Sequence, residues 1–197
     1  MSWVLANLPT IAGHLLAHLL QAVPAILAAF VLSIPIARLA RAARPLRAVL
    51  VTGSSLLYAI PSLALFVILP IILATAIRDP LNVIVALTLY GLALLVPATA
   101  DALDAVDARV LDAATAMGVG RLRCFLTVEL PLAGPAILTG LRVVTVSTIS
   151  LTTVGAVLGV RSLGWLFTDG FQRGITAEIV TGLVATAVLA LVLDGPV

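Results

Sequence analysis

The stretch from residue 81 to residue 100, LNVIVALTLYGLALLVPATA, contains no charged side chain. A helix needs about 20 apolar residues to cross the hydrocarbon core of a bilayer, and this stretch has 20 residues, all uncharged and most of them apolar. Asp79 and Asp101 flank it. The stretch therefore predicts a transmembrane helix, and charged residues divide the rest of the chain in the same way.

Four further apolar segments are visible. They are residues 19–37, residues 48–77, a segment within 131–160, and residues 179–193. The segment 48–77 has 30 residues, which would make about 45 Å of helix, too long for one straight span and too short for two. We therefore expect one span that is broken near Pro61 or Pro70.

The last part of the chain is less regular. Residues 161–178 are polar and punctuated by glycine, which predicts a loop or a partly re-entrant element. The final apolar segment has only 15 residues, so it spans a membrane only if Thr176 and the terminal residues extend it. The predicted fold class is all-α, a polytopic membrane bundle of about five helices that forms one domain over residues 1–197.

The composition excludes several classes of protein. The chain is 62% hydrophobic and 10% charged, with a mean hydropathy of +1.24, whereas a soluble domain is about 45–50% apolar and about 25% charged. A water-soluble globule, a disordered chain and a nucleic-acid-binding module are all excluded. The single cysteine, Cys124, cannot form an internal disulfide.

The arginines predict the orientation, because cytoplasmic loops carry an excess of basic residues. With the N-terminus outside, three arginines lie outside, at positions 78, 161 and 173, and eight lie inside. The eight are Arg38, Arg41, Arg44, Arg47, Arg109, Arg121, Arg123 and Arg142. This orientation also puts Trp3 and Trp165 near the outer surface, where aromatic anchors are common.

Residues 101–130 have a different character from the spans. Apolar side chains recur at three- and four-residue steps from Leu103 to Met117, with acidic residues on another face, which predicts an amphipathic helix over 101–117. Gly118 and Gly120 end it, and a second short helix is expected over 121–129. Such a helix pair lies on the membrane surface or docks on a protein partner. Its acidic face favours a protein partner, since cytoplasmic leaflets are anionic.

The spacing of particular residues in this segment is characteristic. They are Asp112-Ala113-Ala114, Gly118, Val128, Leu130-Pro131, Pro135, Ile137 and Gly140. This pattern resembles the EAA loop of the permease subunits of binding-protein-dependent ABC importers. Asp112 stands where that loop usually has Glu, and Met117 where Asp is frequent.

Other stretches are similar to one branch of these permeases. They are residues 58–66 (YAIPSLALF), 87–90, 101–107, 155–159 with 163–164, and 166–173 (LFTDGFQR). They resemble the osmoprotectant branch, whose members move glycine betaine, choline, carnitine and related quaternary ammonium compounds.

The resemblance implies the MetI-like permease fold in a bacterial inner membrane, and the arginines predict the N-terminus outside and the C-terminus in the cytoplasm. It implies a second permease subunit, identical or related, cytoplasmic ATPase subunits and an external substrate-binding protein. It assigns contact with the ATPase to the loop residues Asp112, Ala113, Ala114, Gly118, Arg121, Leu130 and Pro131. No catalytic residue, cofactor or metal is expected, and a chain without lysine has no P-loop of its own. Two alternatives stay open: an importer subunit for another solute, such as an amino acid or an oxyanion, and an intramembrane enzyme.

Small and hydroxylated residues in the fourth span are candidates for lining the solute pathway. They are Ser147, Ser150, Thr152, Gly155 and Gly159. Ordinary helix packing is the alternative for each of them. Because the chain has only nine aromatic residues and they are scattered, we expect the aromatic cage for a quaternary ammonium to lie in the binding protein. The loop 161–173 either contacts that protein or covers the pore as an outer gate.

Three polar side chains near the predicted spans have open interpretations. His14 and His18 share a helix face, but two histidines without a third ligand make a poor metal site, which favours an interfacial pair. Arg142 either pairs with Glu129 or extends to the membrane interface, and the second is favoured.

Overall fold

The computed structural model describes residues 2–41 and 44–195, and in that part of the chain helices are joined by turns and short loops, with no β-strand. The helices are α1 (Ser2–Ala6), α2 (Leu8–Ala40), α3 (Arg44–Arg47), α4 (Gly53–Tyr58), α5 (Ser62–Leu73), α6 (Pro80–Asp104), α7 (Ala108–Ala116), α8 (Arg121–Cys124), α9 (Leu130–Thr152), α10 (Trp165–Arg173) and α11 (Thr176–Asp194). Two π-helical turns, Ala48–Thr52 and Phe125–Glu129, join α3 to α4 and α8 to α9. A 3₁₀ turn, Thr153–Leu158, follows α9.

Four helical stretches among the described residues are long and apolar enough to cross a membrane. They are Leu8–Ala40, Pro80–Asp104, Arg121–Leu158 and Thr176–Asp194. A fifth span arises if Pro45–Tyr58 and Ser62–Leu73, which meet at 109°, are counted as one broken span. The prediction of an all-α bundle of about five spans is confirmed.

The break in the second predicted span lies at Pro61, whereas Pro70 lies inside α5. A break at membrane depth frees backbone carbonyl groups that need new donors. The Tyr90 hydroxyl of α6 donates a hydrogen bond to the carbonyl oxygen of Ile60 at 2.5 Å. The Tyr90 ring also meets Tyr58 edge to face, with ring centroids 5.9 Å apart. Helix α6 therefore stabilises the bend from the side.

Small residues bring the central helices into close contact. A Cβ atom placed on Gly91 of α6 would lie 2.5 Å from Cβ of Ala29 in α2, and one on Gly155 would lie 3.1 Å from Val83. Five alanines of α2 are fully buried: Ala22, Ala25, Ala29, Ala37 and Ala40. Helix association in lipid depends on such close packing rather than on the exclusion of water.

The contacts between helices define two ends of the bundle. Helix α2 runs parallel to α6, because Ala25 packs with Val83 and Leu87 near one end, and Ala37 packs with Ala100 and Leu103 near the other. The chain segments 38–41, 44–47 and 101–129 lie at what we call the basal end. Residues 75–79 and 153–175 lie at the opposite, distal end.

The predicted continuous helix over 101–117 is wrong. Helix α6 ends at Asp104 and α7 begins at Ala108. The side chain of Asp107 accepts a hydrogen bond from the backbone N–H of Arg109 at 2.9 Å, which caps the new helix. The apolar spacing keeps its phase across this break, so the periodicity alone does not reveal it.

The separate short helix predicted over 121–129 is also wrong, because α8 continues into α9 through the π-helical turn Phe125–Glu129. Pro131 has no N–H for the carbonyl of Thr127, and its ring crowds that carbonyl. Widening the helix into a π turn relieves this conflict without ending the helix.

The prediction of a loop or a partly re-entrant element over 161–178 is incomplete, because this polar region contains a helix of its own, α10. Gly174 ends it in the left-handed conformation, with φ +67°. Helix α11 then begins at Thr176 and has 19 residues, so the terminal residues do extend the short apolar segment. Glu178 interrupts the apolar sequence but is fully buried in the first turn of α11.

Candidate functional site

The α7–α8 segment at the basal end presents most of its side chains to solvent. Of the residues that the resemblance assigns to ATPase contact, Asp112, Ala113, Gly118 and Arg121 are exposed, and Ala114 is buried. Met117 is 78% exposed and Leu122 is 60% exposed. Large apolar side chains exposed beside charged ones are typical of a surface that a partner covers.

Gly118 makes the turn between α7 and α8. Its φ is +81°, in the left-handed region that residues with a side chain rarely adopt. Its N–H donates to the carbonyl of Thr115 at 2.9 Å, and the N–H of Val119 donates to Ala114 at 3.1 Å. These bonds close the end of α7 and set the direction of α8.

Leu130 and Pro131 lie away from this turn, in the first turn of α9. Leu130 is half-buried against a basal apolar cluster that contains Ala37, Leu103 and Phe125, and Pro131 is exposed. The structure thus brings Asp112, Ala113, Ala114, Gly118 and Arg121 together in one segment and places the other two residues at the base of the helix that follows it.

A network of ion pairs connects this segment to the bundle. Arg41, at the end of α2, lies 2.8 Å from Asp104 and also pairs with Glu129 in the π-helical turn. Arg47 of α3 pairs with Asp104 and, at 3.2 Å, with Asp101. Four helical elements therefore meet through these five side chains.

Sequence reasoning missed this network, because its partners are far apart in the chain. One sequence signal points to the network. Arginines are grouped over residues 38–47, and acidic residues that could pair with them are grouped over 101–129. The Arg38 guanidinium lies over the Phe125 ring, 4.1 Å from its centroid, and adds a further contact between the same two regions.

Arg142 does not pair with Glu129, because the Glu129 carboxylate pairs with Arg41. Its Nε lies 3.1 Å from Oδ1 of Asp194, the last residue of α11. The sequence pattern could not reveal this pair, because Asp194 comes close only when α11 packs antiparallel to α9. The pair links the C-terminal end of α11 to the middle of α9.

The candidates for pathway lining fall on different sides of α9 and the turn after it. Ser150 is exposed and borders a cavity of about 250 Å³ between α9, α10 and α11. Ser147 is half-buried, whereas Thr152 is buried and donates to the carbonyl of Thr148 at 2.7 Å. Gly155 is buried against α6. In this single chain the five residues do not converge on one channel.

Gly159 lies apart from the other four candidates and lines a polar cavity of about 410 Å³ at the distal end. Polar side chains on its wall come from two segments of the chain, the end of the 75–79 loop and α10: Arg78, Trp165, Thr168, Asp169 and Gln172. Gly159 has φ +80°, and a Cβ atom there would lie 3.0 Å from Nε of Arg78. We call this the distal cavity.

His14 and His18 lie inside the protein and not on its surface, which corrects the expected interfacial pair. His14 stacks on Trp165 with ring centroids 4.6 Å apart, and His18 is fully buried. Gln21, one turn further along α2, donates to the carbonyl of Arg161 at 2.6 Å. This face of α2 therefore holds the loop that leads into α10. Among the described residues no three His, Cys, Asp or Glu side chains are grouped as a metal site.

Comparison with known proteins now gives the family. The family model described as "binding-protein-dependent transport system inner membrane component" matches residues 29–194. The chain belongs to this family. It is a permease subunit of an ABC importer.

Several curated relatives match the permease over most of its length. The glycine betaine/carnitine/choline transport system permease protein OpuCD of Bacillus subtilis is 29% identical over 90% of this chain and 76% of its own. The osmoprotectant import permease protein OsmW of Salmonella typhimurium is 29% identical over 98% of this chain and 90% of its own. The ergothioneine transport permease/ergothioneine binding protein EgtU of Helicobacter pylori is 33% identical over 75% of this chain, and the match spans only 26% of that longer protein.

Solved structures share the fold of the permease. A chain of the MetNI methionine ABC transporter in an inward-facing conformation matches all of this chain and 94% of its own, with a TM-score of 0.81 at 19% identity. An amino acid ABC transporter solved with histidines matches 97% of this chain and 90% of its own, with a TM-score of 0.74 at 16% identity. The predicted MetI-like fold is confirmed.

Proposed function

We propose that the permease forms, with a second permease subunit, the pathway by which an osmoprotectant such as glycine betaine, choline or carnitine crosses the membrane by alternating access. Cytoplasmic ATPase subunits hydrolyse ATP, and an external binding protein delivers the solute. The observation that carries the mechanical part is the exposed α7–α8 segment, fixed by the left-handed Gly118 and by the ion pairs at its base.

Mechanical coupling needs a rigid connection between the ATPase and the spans. Helix α8 continues into α9 without a flexible linker, so a push on α8 moves the span that carries the candidate pathway residues. The Arg41–Glu129 and Arg41–Asp104 pairs transmit the same displacement to α2 and α6. Rigid helices that shift as units are a common way to carry a conformational change between sites.

The distribution of arginines supports the orientation. With the basal end in the cytoplasm, seven of the eleven arginines lie at the cytoplasmic end and three at the distal end, while Arg142 lies within α9. The N-terminus then lies outside and the C-terminus inside, because α2 and α11 begin at the distal end. The distal cavity faces the side from which the binding protein approaches.

The proposed solute class rests on the relatives that match at least 90% of this chain, whose names state glycine betaine, carnitine, choline or osmoprotectant transport. Glycine betaine and carnitine are zwitterions with a quaternary ammonium and a carboxylate, and choline has only the ammonium. We place the aromatic cage for the ammonium in the binding protein and a weak, transient passage in the permease.

Reconstitution tests the function directly. The permease is purified with its ATPase, placed in proteoliposomes and supplied with its binding protein. We expect uptake of labelled glycine betaine, choline or carnitine that requires ATP and the binding protein. Methionine and histidine serve as comparison solutes. Uptake of an amino acid and of no quaternary ammonium compound would favour the alternative of an amino acid importer.

A further inference from the structure

The distal cavity has no role in the coupling described above, yet its wall carries several polar side chains. Its volume of about 410 Å³ falls within the range of small-molecule sites, roughly 300–1,000 Å³. Thr168, Asp169 and Gln172 on its wall come from the 166–173 stretch in α10. The cavity is therefore a candidate site for a small polar ligand, and this inference rests on the proposed function.

Arg78 is the positively charged group of the cavity, and its guanidinium has no hydrogen bond or ion pair among the residues that the structure describes. Its neighbour Asp79 is not a partner, because the Asp79 carboxylate accepts the N–H of Leu81 at 2.9 Å and caps α6. Asp169 lies on the same wall, but its carboxylate pairs with Arg173 at 3.0 Å. An unpaired guanidinium at a cavity wall is a natural partner for a carboxylate, which it can bind with two parallel hydrogen bonds.

Gly159 holds the Arg78 side chain against the cavity wall. Because Gly159 has no Cβ, the Arg78 side chain passes directly over its backbone; a Cβ atom would lie 3.0 Å from Nε and 3.5 Å from Cδ. The backbone of Gly159, directly after the 3₁₀ turn, thus forms the surface against which the Arg78 side chain lies. Arg78 itself is exposed, so its guanidinium is accessible to a solute in the cavity.

The other side of the cavity suits a cation. Trp165 lines it, and its indole ring stacks on His14. Aromatic faces attract quaternary ammonium groups, and the nearby Asp169 carboxylate adds negative charge. A single aromatic ring and one shared carboxylate make a weaker site than a cage, which suits a solute that must leave again.

We propose that the distal cavity is a transient binding site for a zwitterionic quaternary ammonium solute, with the solute carboxylate on Arg78 and its ammonium toward Trp165 and Asp169. Solute released by the binding protein enters this site before it moves to the pathway. A solute without a carboxylate has no partner for Arg78 and passes the cavity without that contact.

The test compares two solutes that differ in the carboxylate. Maximal uptake rates of glycine betaine and of choline are measured in proteoliposomes at saturating loaded binding protein, for the wild type and for Arg78→Gln. We expect Arg78→Gln to slow glycine betaine uptake about tenfold and to change choline uptake less than about twofold, as loss of a charged hydrogen-bonded pair predicts. Arg78→Lys should fall between, since it keeps the charge and loses the paired hydrogen bonds.

Ile77→Ala is the control, because Ile77 is the exposed chain neighbour of Arg78 and does not line the cavity. It should leave both rates unchanged. If Arg78→Gln slows both solutes equally, or leaves both rates unchanged, the guanidinium does not bind the solute carboxylate and the inference is overturned while the proposed function stands. A wild type that takes up neither solute would overturn the proposed function and this inference with it.

Discussion

Gly118 joins α7 to α8 with a backbone angle, φ +81°, that costs residues with a side chain about 1–3 kcal/mol. Nothing lies within 4 Å of a Cβ atom at this position, so a substitution there acts through the backbone and not through a clash. We expect Gly118→Val to reduce uptake tenfold or more at normal membrane abundance while ATP hydrolysis continues. Gly118→Asn should retain most of the uptake, because Asn tolerates the left-handed region.

The control for this prediction is Gly120→Ala. Gly120 also has open space around it, but its φ is −63°, which any residue adopts. Uptake should be unchanged in that variant. Normal uptake by Gly118→Val would show that the direction of α8 has no part in coupling.

At the scale of elements, the Arg41–Glu129 pair fastens the π-helical turn before α9 to the end of α2. The Glu129 side chain is only 12% exposed, which makes this pair better shielded from water than a surface pair. Loss of the Glu129 charge leaves Arg41 with one carboxylate partner, Asp104, instead of two. We expect Glu129→Gln to destabilise the permease by about 1–3 kcal/mol, the typical value of a hydrogen bond to a charged group. The measurement is the thermal unfolding midpoint of the purified protein in detergent.

The control for Glu129→Gln is Arg109→Gln, which removes a different ion pair at the same end of the bundle. The Arg109–Asp107 ion pair is solvent-exposed, and exposed pairs contribute about 0–1 kcal/mol. Its unfolding midpoint should stay close to that of the wild type. Equal midpoints for Glu129→Gln and Arg109→Gln would show that the network does not fasten the basal end.

The elements also show what the sequence could and could not predict. Uncharged stretches of 15 to 30 residues predicted the spans, because the bilayer imposes length and hydropathy on each of them. The gap between α6 and α7 escaped prediction because the apolar spacing continues through Asp107 in phase. The partners of Arg41 and Arg142 escaped it because they are side chains brought together only by helix packing. The family resemblance assigns the proposed coupling residues as a set, and only the structure separates Leu130 and Pro131 from the exposed turn.

At the scale of the whole molecule, the account requires the two ends of the bundle to face opposite sides of the membrane. Gln172 at the distal end and Met117 at the basal end are both exposed. Cys124 is buried, so the wild type serves as an unlabelled background. In intact spheroplasts an impermeant maleimide should label Gln172→Cys, and it should label Met117→Cys only after permeabilisation. The reverse pattern would invert the topology and place the α7–α8 segment beyond the reach of a cytoplasmic ATPase.

The most direct test of the central claim is a cross-link between the α7–α8 segment and the ATPase. Met117→Cys is combined with single cysteines on the co-expressed ATPase subunit, and Gln172→Cys serves as the control. The account predicts a disulfide or short bifunctional cross-link from position 117 whose yield changes with ATP, and none from position 172. Assembled, active complexes in which neither position 117 nor an equivalent cysteine at Leu122 ever reaches the ATPase would contradict it.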